Sequence, residues 1–203
     1  MNKMNKGKHD NFTRGEGLFE NFLAKQRAAL ANRLIPEKLR KGRILDIGCG
    51  TYPYFLTVAH FKEKFGIDYS VNSKGISKNM VLKKINMEKT SMPFKDGYFN
   101  VITMLAVFEH INKDKLQAVL KDVRRVLSKD GLFIITTPSP WSDKILHLMA
   151  RSGLISQEEI HDHKHNMTRA GIESLLTEAG FKRQNIKKGY FEVFLNMWFV
   201  AKK

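Results

Sequence analysis

Cysteine is almost absent from this chain of 203 residues, which carries one, Cys49. That excludes an internal disulfide and any metal site built from clustered thiolates. Long apolar runs are missing too. A membrane-spanning helix needs roughly eighteen or more consecutive apolar residues, and the most apolar stretch, 191–200, is broken by Glu192 and Asn196. The first residues, MNKMNKGKHDN, are basic and lack the apolar segment of a signal peptide. A cytoplasmic protein is expected. Acidic residues are in deficit, 20 Asp and Glu against 35 Lys and Arg.

The residues present are those of a globular protein, 42% hydrophobic and 27% charged. The length suits one domain. The net charge of +15 is scattered, largely as lysine pairs such as Lys62/Lys64, Lys83/Lys84 and Lys113/Lys115. Surfaces that read bases cluster arginine with aromatic residues, so a solvated basic surface is favoured over a nucleic-acid footprint. The same excess would serve an anionic substrate, such as a phosphate- or nucleotide-linked sugar or an acidic lipid.

Residues 1–15 read as a disordered basic segment and 16–203 as a single domain. Apolar spacing predicts helices over 16–34, 54–61, 71–81, 113–127 and 169–179, the last starting at Thr168 and ending at Gly180. Strands are expected at 43–46, 64–68, 84–87, 101–105, 132–137, 181–188 and 194–201, with 91–100 a loop and Asp130-Gly131 a turn. Alternating strands and helices imply an α/β fold, a Rossmann-like and mostly parallel seven-stranded sheet with helices on both faces. The last two strands are separated by too few residues for a parallel crossover and must form an antiparallel hairpin. Residues 138–168 are a long connection without strong pattern, the kind that carries function.

In an open α/β sheet, ligands bind beyond the carboxyl ends of the strands. After the first strand stands Asp46-Ile47-Gly48-Cys49-Gly50, and the second ends in Asp68-Tyr69. Glycines let backbone approach a ligand, and a strand-ending carboxylate about twenty residues on can accept both hydroxyls of a ribose. A nicotinamide-binding site needs a third glycine to seat a pyrophosphate at its helix. Here Gly48-Cys49-Gly50 is followed by Thr51-Tyr52-Pro53 with no third glycine, which disfavours a dinucleotide.

ILDIGCG, FGIDYS, MPFKDGYFNVITMLAVFEHI and GLFIITTPSP together resemble the successive motifs of class I S-adenosylmethionine-dependent methyltransferases, in particular the group of ubiquinone-biosynthesis O-methyltransferases and related small-molecule enzymes. The resemblance implies S-adenosylmethionine as cofactor and S-adenosylhomocysteine as product. It places Asp46, Gly48, Cys49 and Gly50 around the methionine portion, Asp68 and Tyr69 at the ribose, Asn86 and Met87 beside the adenine, and Leu105 and Ala106 on the methyl-donor side, with Glu109 and His110 behind them. Asn86 stands where the family usually has aspartate, with Glu88 as a competing alignment for that acid, and Asn100 replaces an aspartate before the fourth strand.

The acceptor stays open. Cys49 lies in the cofactor loop, which excludes the C5-methylating class that needs a cysteine nucleophile. Ala106-Val107-Phe108-Glu109 replaces the signature of amino-methylating DNA enzymes. The candidates for substrate chemistry are His163 and His165, with His161, before the helix at 169, and Glu109 and His110. A histidine there reads as a general base, as part of a metal site with Asp162, or as a polar loop residue. No metal is assigned. Segments 16–40 and 138–168 are expected to cap the acceptor, with Trp141 and Phe12 as apolar walls and Arg14 as a grip for an anion. Two readings compete: methyl transfer to O or N of a small-molecule, lipid- or sugar-linked acceptor, and RNA- or protein-directed methyl transfer using the basic surface.

Overall fold

The computed structural model describes residues 18–71, 79–142 and 167–203, and of 18–20 only the backbone. The N-terminal segment to residue 17, Phe12, Arg14 and the histidines 161, 163 and 165 lie outside the described residues, as does most of the expected helix 71–81.

Strands β1 (Arg43–Ile47), β2 (Glu63–Asp68), β3 (Met80–Lys84), β4 (Phe99–Leu105), β5 (Leu127–Pro138), β6 (Ile186–Phe191) and β7 (Asn196–Lys202) form one sheet in the order β3-β2-β1-β4-β5-β7-β6. Neighbours from β3 to β5 pair parallel, and β7 runs antiparallel to both β5 and β6. This is the expected mostly parallel sheet with a C-terminal antiparallel hairpin. β1 and β4 are the inner parallel strands, and their apolar runs RILDI and FNVITML are covered on both faces.

Alternate residues of each strand feed two cores. Ile44, Val101, Ile134 and Val200 pack with Ala28 and Ala31 of α1 (Leu18–Leu34) and with Phe55 and Leu56 of α2 (Tyr54–Val58). Leu45, Ile102, Phe133 and Phe199 pack on the other face with Leu116, Leu120 and Val123 of α3 (Lys113–Val126) and with Ile172 and Leu176 of α4 (Arg169–Glu178). Helices on both faces follow from that two-sided burial. Thr168 caps α4, its Oγ1 accepting from the Gly171 N–H at 3.1 Å. The helix closes with N–H groups of Gly180 and Phe181 bonded to the carbonyls of Thr177 and Leu176, with Gly180 at φ +98°.

Several boundaries differ from the sequence reading. The third strand is 80–84 rather than 84–87, because Lys64 to Asp68 of β2 pair in register with Met80 to Lys84. It is a sheet edge and largely exposed, and its apolar Met80-Val81 overlap the end of the helix expected at 71–81, where the structure has strand. Asp130-Gly131 is no turn between elements but a bulge inside a longer β5, where Phe99 and Val101 of β4 face Leu127 and Leu132. α2 stops at Val58, three residues early. β6 begins at 186, after a single 3₁₀ turn over Arg183–Asn185. The loop before β4 ends two residues earlier than expected, at 98, and is tied down by Arg125. Its guanidinium donates to the carbonyls of Met92 and Phe94, while Asp122 accepts from the Met92 N–H.

Replacing Gly180 with alanine puts a Cβ in the left-handed region and 3.0 Å from Arg124 Nε. The expected loss is about 1 kcal/mol or more of unfolding free energy. A lowered urea midpoint at unchanged m value checks it.

Candidate functional site

Strand order reverses at β1, which has β2 on one side and β4 on the other. A crevice opens beyond the carboxyl ends at such a point. The chain leaves β1 through Gly48 and Gly50, at φ +73° and +70°, a conformation that favours glycine. The N–H groups of Gly48 and Cys49 both donate to the Ile67 carbonyl, at 2.8 and 3.3 Å. The loop therefore folds back onto the end of β2.

Asp68 completes that corner. It is 2% exposed. Its Oδ2 accepts from the Gly50 N–H at 3.1 Å, and its Oδ1 accepts from the N–H and hydroxyl of Ser70 at 2.8 and 2.7 Å. Tyr69, between them, is exposed. Asp46 lies behind the loop, buried, and accepts from Thr103 Oγ1 of β4 at 2.6 Å. Burial pushes its carboxyl up to about 7, with Thr103 opposing and the Asp68 charge adding to the rise.

Cys49 is buried with its sulfur against Gly66 of β2, where an added Cβ would stand 2.8 Å from Sγ. Burial and the two neighbouring carboxylates push the thiol far up. It is a packing group and not a nucleophile. Gly48 and Gly50 differ in their surroundings. A Cβ on Gly48 would meet Val107 at 2.2 Å, whereas one on Gly50 finds, among the described residues, nothing nearer than the Tyr52 carbonyl oxygen at 4.0 Å. Gly48 serves the packing of β1 against the β4 exit, and Gly50 faces open space.

At that exit, Ala106 has φ +54° and is held by its N–H, which donates to Thr136 at both the carbonyl (2.9 Å) and the hydroxyl (3.2 Å). Leu105 is half-buried on the α1 side of the sheet. Phe108–His110 form a 3₁₀ turn in which Glu109 is 2% exposed, with its Oε2 lacking a partner among the described residues. His110 is half-buried in the same turn.

Asn86 and Met87 follow β3. Asn86 opens a turn, its side-chain oxygen accepting from the Glu88 N–H at 3.0 Å, and Met87 packs half-buried on the α3 side. Glu88 instead bonds Asn112, through its N–H at 3.2 Å and its side-chain amide. Asn100 is a backbone clasp, accepting from the Arg43 N–H at 2.9 Å.

The structure thus gathers Asp46, Gly48, Cys49, Gly50 and Asp68 into one corner, with Leu105, Glu109 and His110 at the neighbouring strand end. Sequence reasoning missed Thr103, Ser70 and Val107, and it named Ala106 without its backbone conformation. Thr103 carried a signal, a lone hydroxyl inside an apolar strand. The positive φ of Ala106 left none.

A family model described as a methyltransferase domain matches residues 19–185. An uncharacterized protein of Methanocaldococcus jannaschii is 30% identical over 113 residues, 55% of this chain and 43% of that protein. A probable tRNA methyltransferase 9B of Mus musculus is 30% identical over 93 residues, 45% of this chain and 21% of that one. The chain spans less than half the length of these curated relatives. A crystal structure of a SAM-dependent methyltransferase from Archaeoglobus fulgidus superposes with a TM-score of 0.69 at 18% identity, covering 92% of this chain and 98% of the other. That similarity is one of fold.

The raised carboxyl of Asp46 has a consequence for stability. A proton held more tightly in the folded state stabilises it below the unfolded value near 3.8, and that contribution fades as pH rises through about 7. Asp46→Asn removes the titration, so the variant should lose less stability than the parent between pH 4 and 8. Urea midpoints across that range measure it.

Proposed function

The chain belongs to the methyltransferase-domain family, and from that premise we propose that it uses S-adenosylmethionine to methylate O or N of a small-molecule, lipid- or sugar-linked acceptor. The observation that carries the cofactor assignment is the buried Asp68 carboxylate bonded to the Gly50 N–H. It joins the glycine loop to a strand-ending acid, and Gly50 leaves open space in front of that pair. In this reading Asp46, Gly48 and Gly50 surround the methionine portion with Cys49 as packing, Asp68 and Tyr69 take the ribose, Asn86 and Met87 flank the adenine, and Leu105 faces the donor side.

When bound, the cofactor supplies an electrophilic methyl group on a sulfonium. What remains for the protein is orientation, exclusion of water and disposal of the acceptor's proton. Glu109 supports the last role, being buried with one oxygen unpartnered among the described residues beside the exit of β4. His110 accompanies it, and His163 and His165 remain further candidates for a base.

A second reading has two observations in its favour. The mouse relative is named a probable tRNA methyltransferase, and a net charge of +15 suits a polyanion. Transfer into RNA would then fall steeply with added salt.

Labelled-methyl transfer into fractionated cell extract decides between the readings. Label in small molecules or lipid is the expected result, and label confined to RNA favours the second. Asp68→Ala should weaken S-adenosylmethionine binding by about 10² or more, since two hydrogen bonds to a charged group are lost. Calorimetry reads it. Unchanged affinity would remove Asp68 from the site. Glu109→Gln should lower kcat at least tenfold with cofactor affinity preserved.

A further inference from the structure

Between α1 and the turn joining β6 to β7 lies a groove of about 530 Å³, within the range that takes a small organic ligand. Phe22, Leu23 and Leu30 line it on the helix side, and Phe191, Val193 and Leu195 on the turn side. The apolar surface continues outward. Phe22, Val193 and Phe194 are 51%, 85% and 61% exposed, and contiguous apolar surface of this kind marks a contact site.

One acidic side chain, Glu192, also lines the groove. Its Oε2 accepts from the Asn196 side-chain amide. Its Oε1 and Asn196 Oδ1 are buried with no donor among the described residues. These two buried acceptors, one on the groove-lining Glu192 and one on the Asn196 bonded to it, carry a desolvation cost that a donor supplied by a ligand would offset. Burial pushes the Glu192 carboxyl up, against the pull of Arg27 and Asn196 toward the charged form.

The turn that carries Glu192 is held in a disfavoured shape. Glu192, Val193 and Phe194 have φ of +51°, +51° and +66°, left-handed at three successive side-chain-bearing residues. Such backbone persists where its surroundings over-determine it. Here Ser139 does so, its hydroxyl donating to the carbonyls of Phe194 and Leu195, each at 2.9 Å, and its N–H to Leu195 at 2.9 Å. Ser139 directly follows β5, so the Glu192 end of the groove is fixed at the carboxyl edge of the sheet, the edge that carries the glycine loop.

We propose that this groove binds the methyl acceptor, an apolar chain or ring whose hydrogen-bond-donating head, hydroxyl or amino, is set against Glu192 and Asn196. The proposal rests on the methyl-transfer reading and names the substrate class for it. A carboxylate head brings no donor at neutral pH and faces the Glu192 carboxyl, so it is selected against at that end of the groove, while Arg33, which also lines the groove, is the cation that a carboxylate would seek instead.

Calorimetric titration of the full chain with octanol, octylamine and octanoate tests this. Octanol or octylamine should bind at least tenfold more tightly than octanoate. Hexyl and decyl homologues of the better ligand should differ by about fourfold per methylene. Ala29→Phe, at an exposed helix position lining the groove, should weaken all of them at least tenfold without lowering Tm. Glu192→Leu should abolish the preference for donor heads and keep the dependence on chain length. Phe22→Ser serves as a second groove variant should Ala29→Phe fold poorly. No binding by any of the three, octanoate binding as tightly as the others, or groove variants without effect would overturn the proposal. Titration with S-adenosylmethionine on the same samples separates the two ideas. Cofactor binding without probe binding sinks the groove alone, and probe binding without cofactor binding sinks the methyl-donor reading.

Discussion

The contact on which the candidate site depends is the Asp68 carboxylate accepting the Gly50 N–H. It couples two segments that the sheet merely sets side by side, the turn leaving β1 and the end of β2. The Ile67 carbonyl, accepting from Gly48 and Cys49, aligns the same loop from the backbone. Together they hold the loop before any ligand arrives. A loop held in advance loses less entropy on binding. Asp68 is in turn held by Ser70, so its orientation is set from both sides.

A second constraint arises from packing two cores against one sheet. β1 and β4 can be buried on both faces because α1 and α2 cover one and α3 and α4 the other. That burial has a cost at Asp46, whose carboxyl is enclosed and raised toward neutral pH, with Thr103 as its bonded neighbour. Gly48 pays a steric version of the same constraint, since Val107 occupies the space a side chain would need.

Much of this was legible from the residues alone. The mostly apolar runs of β1 and β4, the helical spacing of α3, the Thr168 cap and the short link between β6 and β7 each follow from a local rule, and each holds. The strand-ending Asp68 and the two glycines could be placed from spacing. What local rules missed is what tertiary context decides. β3 is a largely exposed edge strand whose short apolar run, Met80-Val81-Leu82, does not by itself separate strand from helix, and its pairing with β2 decides it. The bulge at Asp130-Gly131 resembles a turn in sequence, because the same residues serve both. Ala106 takes a positive φ because Thr136 holds its N–H from the next strand. The left-handed run 192–194 is likewise fixed from outside, by Ser139 some 55 residues away in sequence. Of the catalytic candidates, Glu109 and His110 fall beside the crevice, while His163 and His165 lie outside the described residues.

A crystal structure of the full chain grown with S-adenosylhomocysteine tests the central claim most directly. The ribose hydroxyls should lie within hydrogen-bond distance of the Asp68 carboxylate, and the homocysteine portion over Gly48 and Gly50. A nucleoside bound elsewhere, or a corner that stays empty at saturating ligand, would contradict it.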